Sequence, residues 1–133
     1  MNYLLDTHVW LWAASRPDKL GAHTTGLLLD ETNSLYVSAI SSLEVAQLSW
    51  AGKILLPMKA PEWIKASVAQ LNLTQIPLSS DIAAAAYSLA EPIHKDPADR
   101  ILVATALHHG LVLLTADKKL LDYTSVKTVD CGE

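Results

Sequence analysis

Residues 96–117, DPADRILVATALHHGLVLLTAD, decide the fold, because they read as a helix running straight into a buried strand. Asp96 supplies a capping carboxylate, Pro97 suits the first helical position and Gly110 suits the terminator. LVLLT at 111–115 follows without a polar break, as a strand covered on both faces requires. Working outward, ADKKLLDY predicts a short helix over 116–123 and SVKTVD a last strand over 125–130. Upstream, Tyr3–Leu5 predicts a strand, and Val9, Trp10, Trp12 and Ala13 recur at helical spacing before the SRPDKLG loop. A second helix is expected over Ala22–Glu31, and LYVSA at 35–39 reads as another buried strand. Ser41 and Glu44 have the spacing of a capping box opening a helix to about Trp50, with Gly52 past its end. GKILLPMKAP is a loop, Pro61 opens a helix to about Leu71, TQIPL at 74–78 is a short strand, and SSDIAAAAYSLAE is an alanine-rich helix over 79–91. EPIHK breaks it.

Strands alternating with helices imply parallel pairing through right-handed crossovers, hence a layered α/β fold in one domain over 1–133. Half of the 133 residues are apolar and 18% are charged, a globular balance. Cys131 is the only cysteine, so neither a disulfide framework nor a cysteine zinc site is possible, and a reducing, cytoplasmic setting is expected. The apolar start lacks a basic leading segment and is interrupted by Asp6 and His8, and no later run approaches the ~18 residues of a membrane span. A net charge of −4 argues against a broad basic face for nucleic acid.

In a parallel α/β sheet, the carboxyl ends of strands and the amino ends of the following helices share one edge, where ligand sites form. Four acids map to that edge: Asp6 after the first strand, Glu44 in the first turn after LYVSA, Asp99 in the first turn of the helix after Asp96, and Asp117 just past LVLLT. Each of Glu44, Asp96, Asp99 and Asp117 has an ordinary reading as a cap or first-turn acid contributing ~1 kcal/mol. Asp6, set in the apolar stretch YLLDTHVWLW (3–12), has no obvious capping need. If the acids converge, two carboxylates ~4 Å apart repel by ~4 kcal/mol at an effective dielectric near 20, so the cluster needs a cation or bound protons. Oxygen ligands without Cys or paired His favour Mg²⁺ or Mn²⁺ over Zn²⁺. Both readings, metal site and separate caps, stand at this point.

Four segments in order, YLLDTHVWLW, VSAISSLEVAQL, HKDPADRILVATAL and LLTADKKL, resemble the PIN-domain ribonucleases, and most closely the VapC-type toxins of bacterial and archaeal toxin–antitoxin pairs. The resemblance spans nearly the whole chain. It implies a three-layer PIN-like fold with about five parallel strands, and an acidic quartet of Asp6, Glu44, Asp99 and Asp117 binding Mg²⁺ or Mn²⁺. Asp6 and Asp99 would be the firmest ligands, with Thr115 as the hydroxyl residue two positions before the last acid. Asp96 matches a recurrent acid of the subgroup, whereas Ala98 replaces a common aromatic. The implied activity is hydrolysis of RNA phosphodiesters to a 5′ phosphate and a 3′ hydroxyl, and the implied partners are a small antitoxin and a second copy of the chain.

Lys95, Arg100, Lys118 and Lys119 are candidate phosphate contacts at the rim, or plain surface charges. His8 and His94 lie near the acids without an assigned role, His108 and His109 suit a helix end, and His23 sits on a surface helix. Trp10, Trp12, Trp50 and Trp63 are expected in the core or in subunit contacts. Three rivals remain: a haloacid-dehalogenase-type phosphatase, which wants an acid where His8 stands; a receiver domain, which wants an adjacent acid pair; and a catalytically silent PIN-like binding module.

Overall fold

The computed structural model describes residues 1–93 and 95–132. Five parallel strands, β1 (Asn2–Leu5), β2 (Ser34–Ser38), β3 (Leu73–Ile76), β4 (Val112–Thr115) and β5 (Thr128–Asp130), form one sheet in the order β3-β2-β1-β4-β5. The helices are α1 (Thr7–Ser15), α2 (Ala22–Leu29), α3 (Ala39–Trp50), α4 (Ala60–Gln70), α5 (Ser80–Ala85), α6 (Pro97–His109) and α7 (Lys118–Leu121), with a 3₁₀ turn at Pro17–Lys19. The chain winds outward from β1 through β2 to β3, then returns to add β4 on the other side of β1. Connections leaving β1 and β4 therefore diverge at their carboxyl ends, and the crevice so opened is where such sheets bind ligands.

Alternation along the strands feeds two cores. Tyr3, Leu5, Val37 and Leu114 meet Val9 and Trp10 of α1 and Trp63 of α4 on one face. Leu4 and Leu113 meet Leu102 and Val103 of α6 and Leu120 of α7 on the other. Each fully buried side chain of this size contributes roughly 1.5–3 kcal/mol, so covering both faces anchors the central strands. Trp10 packs 5.1 Å from Trp63, ring centre to ring centre, and donates its indole N–H to Ser67 Oγ at 3.0 Å.

The helix at 97–109 forms as expected: Asp96 Oδ1 accepts from Ala98 N (2.9 Å) and Asp99 N (3.2 Å), and Gly110 ends it at φ 64°. Several boundaries differ: β3 lies at Leu73–Ile76, and α7 and β5 are shorter than expected. Helix α3 begins at Ala39, capped by Ser38, whose hydroxyl accepts from Ile40 N at 3.1 Å; Ser41 is buried inside it, so the expected capping box is absent and Glu44 stands in the second turn. The alanine-rich helix stops at Ala85 instead of 91, because Arg100 Nε donates to the Ala86 carbonyl (3.0 Å) and Tyr123 Oη to the Ala90 carbonyl (2.8 Å). Tertiary partners thus hold carbonyls of the segment that alanine propensity alone would continue as helix. Helix α2 closes at Leu29 rather than Glu31. Among the described residues no helix is long and apolar enough to cross a membrane.

Candidate active site

Asp6 follows β1 directly, and its backbone N–H still pairs with Leu114 O of β4 at 2.9 Å. That places its carboxylate at the point where the strand order reverses. Contrary to the expectation from sequence, Asp6 has a capping role: it is the N-cap of α1, and Oδ1 accepts from Thr7 N at 2.7 Å. Its other oxygen accepts from Thr115 Oγ1 at 2.7 Å, and that hydroxyl in turn accepts from Asp117 N at 3.0 Å. Thr115, the last residue of β4, therefore holds Asp6 and the turn bearing Asp117 together.

Glu44 is tied in the same manner. Thr7 Oγ1 lies 2.5 Å from Glu44 Oε1 and 2.9 Å from Ser41 Oγ. A hydroxyl carries one proton, and the short contact to the carboxylate takes it, so Ser41 donates to the Thr7 oxygen. Two buried threonines, one beside each sheet strand of the crevice, thus aim two carboxylates. Sequence reading missed Thr7 and Ser41, although a hydroxyl adjoining Asp6 was visible as a signal.

Asp6, Glu44, Asp96, Asp99 and Asp117 all line one cavity of about 370 Å³, together with His8, Trp12 and Ala116. A larger recess of about 510 Å³ around Leu20, Leu28 and Leu71 is mostly apolar, and the chemistry belongs to the smaller cavity because the acids converge there. Burial raises the Asp6 carboxyl above its usual range against the pull of its hydrogen bonds to Thr115 and Thr7 and of the His8 ring. Burial also raises Glu44, the Thr7 hydrogen bond opposes this, and the charges of Asp6 and Asp96 add to it. Asp99 is pushed up to about 7, first by burial and then by Asp6, Asp96, Asp117 and Glu44 in turn. Mutual repulsion of this kind marks a site built for positive charge or for a held proton.

Three of the acids, Asp6, Asp96 and Asp117, are also caps; Asp117 Oδ1 accepts from Lys119 N at 2.9 Å. Glu44 caps nothing, being in the second turn of α3. Among the described residues no three of these groups stand close enough to encircle an ion. The donor chemistry fits a hard divalent cation nonetheless: carboxylates and hydroxyls line the cavity, and the acids raise one another.

The expected phosphate contacts fare differently. Arg100 is buried, its Nε bound to the Ala86 carbonyl and its guanidinium 4.6 Å from the Tyr87 ring, so it clamps the segment after α5 and does not reach the rim. Lys95, Lys118 and Lys119 are exposed and do not line the cavity, and Lys118 pairs with Asp122 at 3.6 Å. His8 is the one basic side chain among the described residues lining it. His94 lies outside the described residues. Of the tryptophans, Trp10 and Trp63 are core, Trp12 is half-buried in the cavity wall, and Trp50 is 87% exposed.

Thr115→Val is expected to leave a carboxylate oxygen of Asp6 and the Asp117 N–H without partners, costing ~1–3 kcal/mol in urea unfolding. The hydrolysis that the resemblance implies should fall ~10–100-fold, the usual effect of losing a group that orients a ligand. Thr115→Ser, which keeps the oxygen, should recover most of both.

A parallel five-stranded sheet with carboxylates gathered at its switch point defines a class, and the chain belongs to it: residues 3–125 match the PIN domain family. The chain is 31% identical to Ribonuclease VapC22 of Mycobacterium tuberculosis over 126 residues, 95% of each chain. Among solved structures it resembles VapBC2 from Rickettsia felis bound to a DNA fragment from their promoter (TM-score 0.71, 18% identity, 97% and 98% of the two chains). It also resembles a toxin–antitoxin complex from Klebsiella pneumoniae (0.63, 22%, 96% and 95%) and FitAcB from Neisseria gonorrhoeae (0.60, 26%, 95% and 95%). The family match removes the dehalogenase and receiver alternatives.

Proposed function

We propose that this chain is a metal-dependent endoribonuclease, the toxin of a toxin–antitoxin pair, acting as one domain in the cytoplasm. The observation that carries the reading is the convergence of five carboxylates on one cavity with Asp99 raised to about 7. The likeness to Ribonuclease VapC22 supports RNA as the substrate. Asp6 and Asp99 would hold Mg²⁺ or Mn²⁺ most firmly, with Glu44 and Asp117 direct or through water. A bound divalent ion would supply Lewis acidity and an activated water for in-line attack, leaving a 5′ phosphate and a 3′ hydroxyl.

The chain's own groups do the rest. Thr115 Oγ1 and the Thr7 amide fix both oxygens of Asp6, and the Thr7 hydroxyl fixes Oε1 of Glu44. Burial and the neighbouring acids raise Asp99 to about 7, so positive charge arriving in the cavity favours release of its proton. Asp6 and Asp117 follow β1 and β4 at the middle of the sheet, which ties both to strands buried on two faces.

RNA cleavage should require Mg²⁺ or Mn²⁺ and vanish in EDTA, while a hundredfold excess of ion over its Kd should stabilise the fold by ~2.7 kcal/mol in a thermal melt. Equal cleavage in EDTA would overturn the metal mechanism. The likeness to VapBC complexes supports a small antitoxin that occludes the site, and exposed Trp50 and Leu55 favour a protein partner or a second copy of this chain. Growth arrest on induction, relieved by the product of the neighbouring reading frame, tests that assignment.

A further inference from the structure

The walls of the acid cavity pose a problem for any RNA-cleaving site. Five carboxylates face the strand, His8 is the one basic side chain among the described lining residues, and Arg100 is turned into the protein. Phosphate contacts, the usual source of affinity for nucleic acid, are therefore scarce beside the reacting position. The remaining wall is Trp12 and the small Ala116. Trp12, half-buried, contributes its indole to the cavity six residues along the chain from Asp6. The ring packs partly against the core; His8, one turn earlier on α1, lies 6.3 Å away at a 59° tilt, and Lys19 Nζ lies 5.8 Å from the ring centre without lining the cavity.

We propose that Trp12, with His8 beside it, is the stacking platform for the nucleobase next to the scissile phosphate. This rests on the ribonuclease reading of the cavity. An indole offers a neutral face that attracts a base without regard to the charge of the surrounding carboxylates. Its packing against the core lowers the ordering cost on binding. A base paired within a duplex cannot present its face to such a ring. Trp10 and Trp63 cannot serve, being packed on each other in the core.

Trp12 also packs against the core, so Trp12→Leu, which keeps apolar volume, and Trp12→Phe, which keeps a ring, are the informative variants. On a single-stranded oligoribonucleotide Trp12→Leu should raise KM about 5- to 150-fold, the ~1–3 kcal/mol of a base–aromatic stack at tenfold per ~1.4 kcal/mol. Its kcat should stay within about threefold, the pattern of lost uniform binding, and Trp12→Phe should keep KM within a similar factor. Replacing the nucleotide beside the cleaved bond by an abasic one should weaken binding to wild type by the same factor and leave Trp12→Leu unaffected. Unchanged KM in Trp12→Leu, or an equal abasic penalty in both proteins, overturns the proposal. So does a variant that cleaves normally but escapes the antitoxin, which would assign the ring to the protein partner. Should wild type cleave no RNA at all, the ribonuclease reading fails separately, and the ratio of oligonucleotide Kd values between Asp99→Asn and Asp99→Asn/Trp12→Leu still decides the role of the ring.

Discussion

Asp99→Asn is expected to cut RNA cleavage by at least ~10²–10³-fold, the loss seen when one preorganised charge-stabilising group is removed from an active site, while making the cation-free protein more stable. The two effects have one cause. Asp99 sits among four other carboxylates, and burial together with their charges raises it from 3.8 to about 7. The unfolded chain releases this proton near pH 3.8, whereas the folded chain holds it to about 7. As pH rises through that interval the unfolded state loses its proton first, so stability falls and the full penalty is present above pH 7. The interval corresponds to ~4 kcal/mol at ~1.36 kcal/mol per pH unit. Because Asp99 is only partly buried, solvent screening reduces this to ~2 kcal/mol, or about 5–10 °C in melting temperature.

Urea unfolding in EDTA at pH 4.5 and pH 8 therefore separates the two proteins. Wild type should lose stability between those values, and Asp99→Asn should lose much less. At pH 8 the variant should be the more stable of the two, with the order reversed or equalised once Mn²⁺ is added to saturate wild type. A variant that cleaves normally, or a wild type whose stability does not depend on pH in this range, would remove Asp99 from the site. The slope reports the whole acid cluster, since neighbouring carboxylates titrate together.

What sequence disclosed and what it hid divide along a physical line. Asp96, Pro97 and Gly110 act on their own backbone, so both ends of α6 were legible. The start of α3 was not, because Ser38 and Ser41 are equally good caps locally. Only the burial of Ser41 against Thr7 of another helix decides between them. The same holds for the end of α5, set by Arg100 and Tyr123 from distant elements. In the site, the edge that gathers Asp6, Glu44, Asp99 and Asp117 followed from strand and helix order alone. Side-chain direction did not: Arg100, one residue past Asp99, is rotated about 100° around α6 and faces α5 instead of the cavity. Trp12 reads as core or a subunit contact, and it does pack partly against the core, although its spacing of four from His8 also puts both on the face that follows Asp6.

Asp6→Asn is expected to abolish cleavage to a similar extent, ~10²–10³-fold, but to leave stability within ~1 kcal/mol, because two effects of opposite sign meet at this buried group. Removing the charge relieves the burial that raises its carboxyl. Against this, an amide can accept with one oxygen where the carboxylate accepted with two, from Thr7 N and Thr115 Oγ1. The cap on α1 survives if the amide oxygen keeps the Thr7 N–H. The amide nitrogen then meets Thr115 Oγ1, whose second lone pair is able to accept it once the hydroxyl proton turns away. Asp6→Ala offers neither group and strands both donors, so it should cost ~1–3 kcal/mol while inactivating equally. Equal loss of activity with unequal loss of stability separates the charge of Asp6, needed for reaction, from its hydrogen bonds, needed for the start of α1. Were Asp6→Asn as unstable as Asp6→Ala, the carboxylate would be a structural cap, and the cavity would lose its central acid.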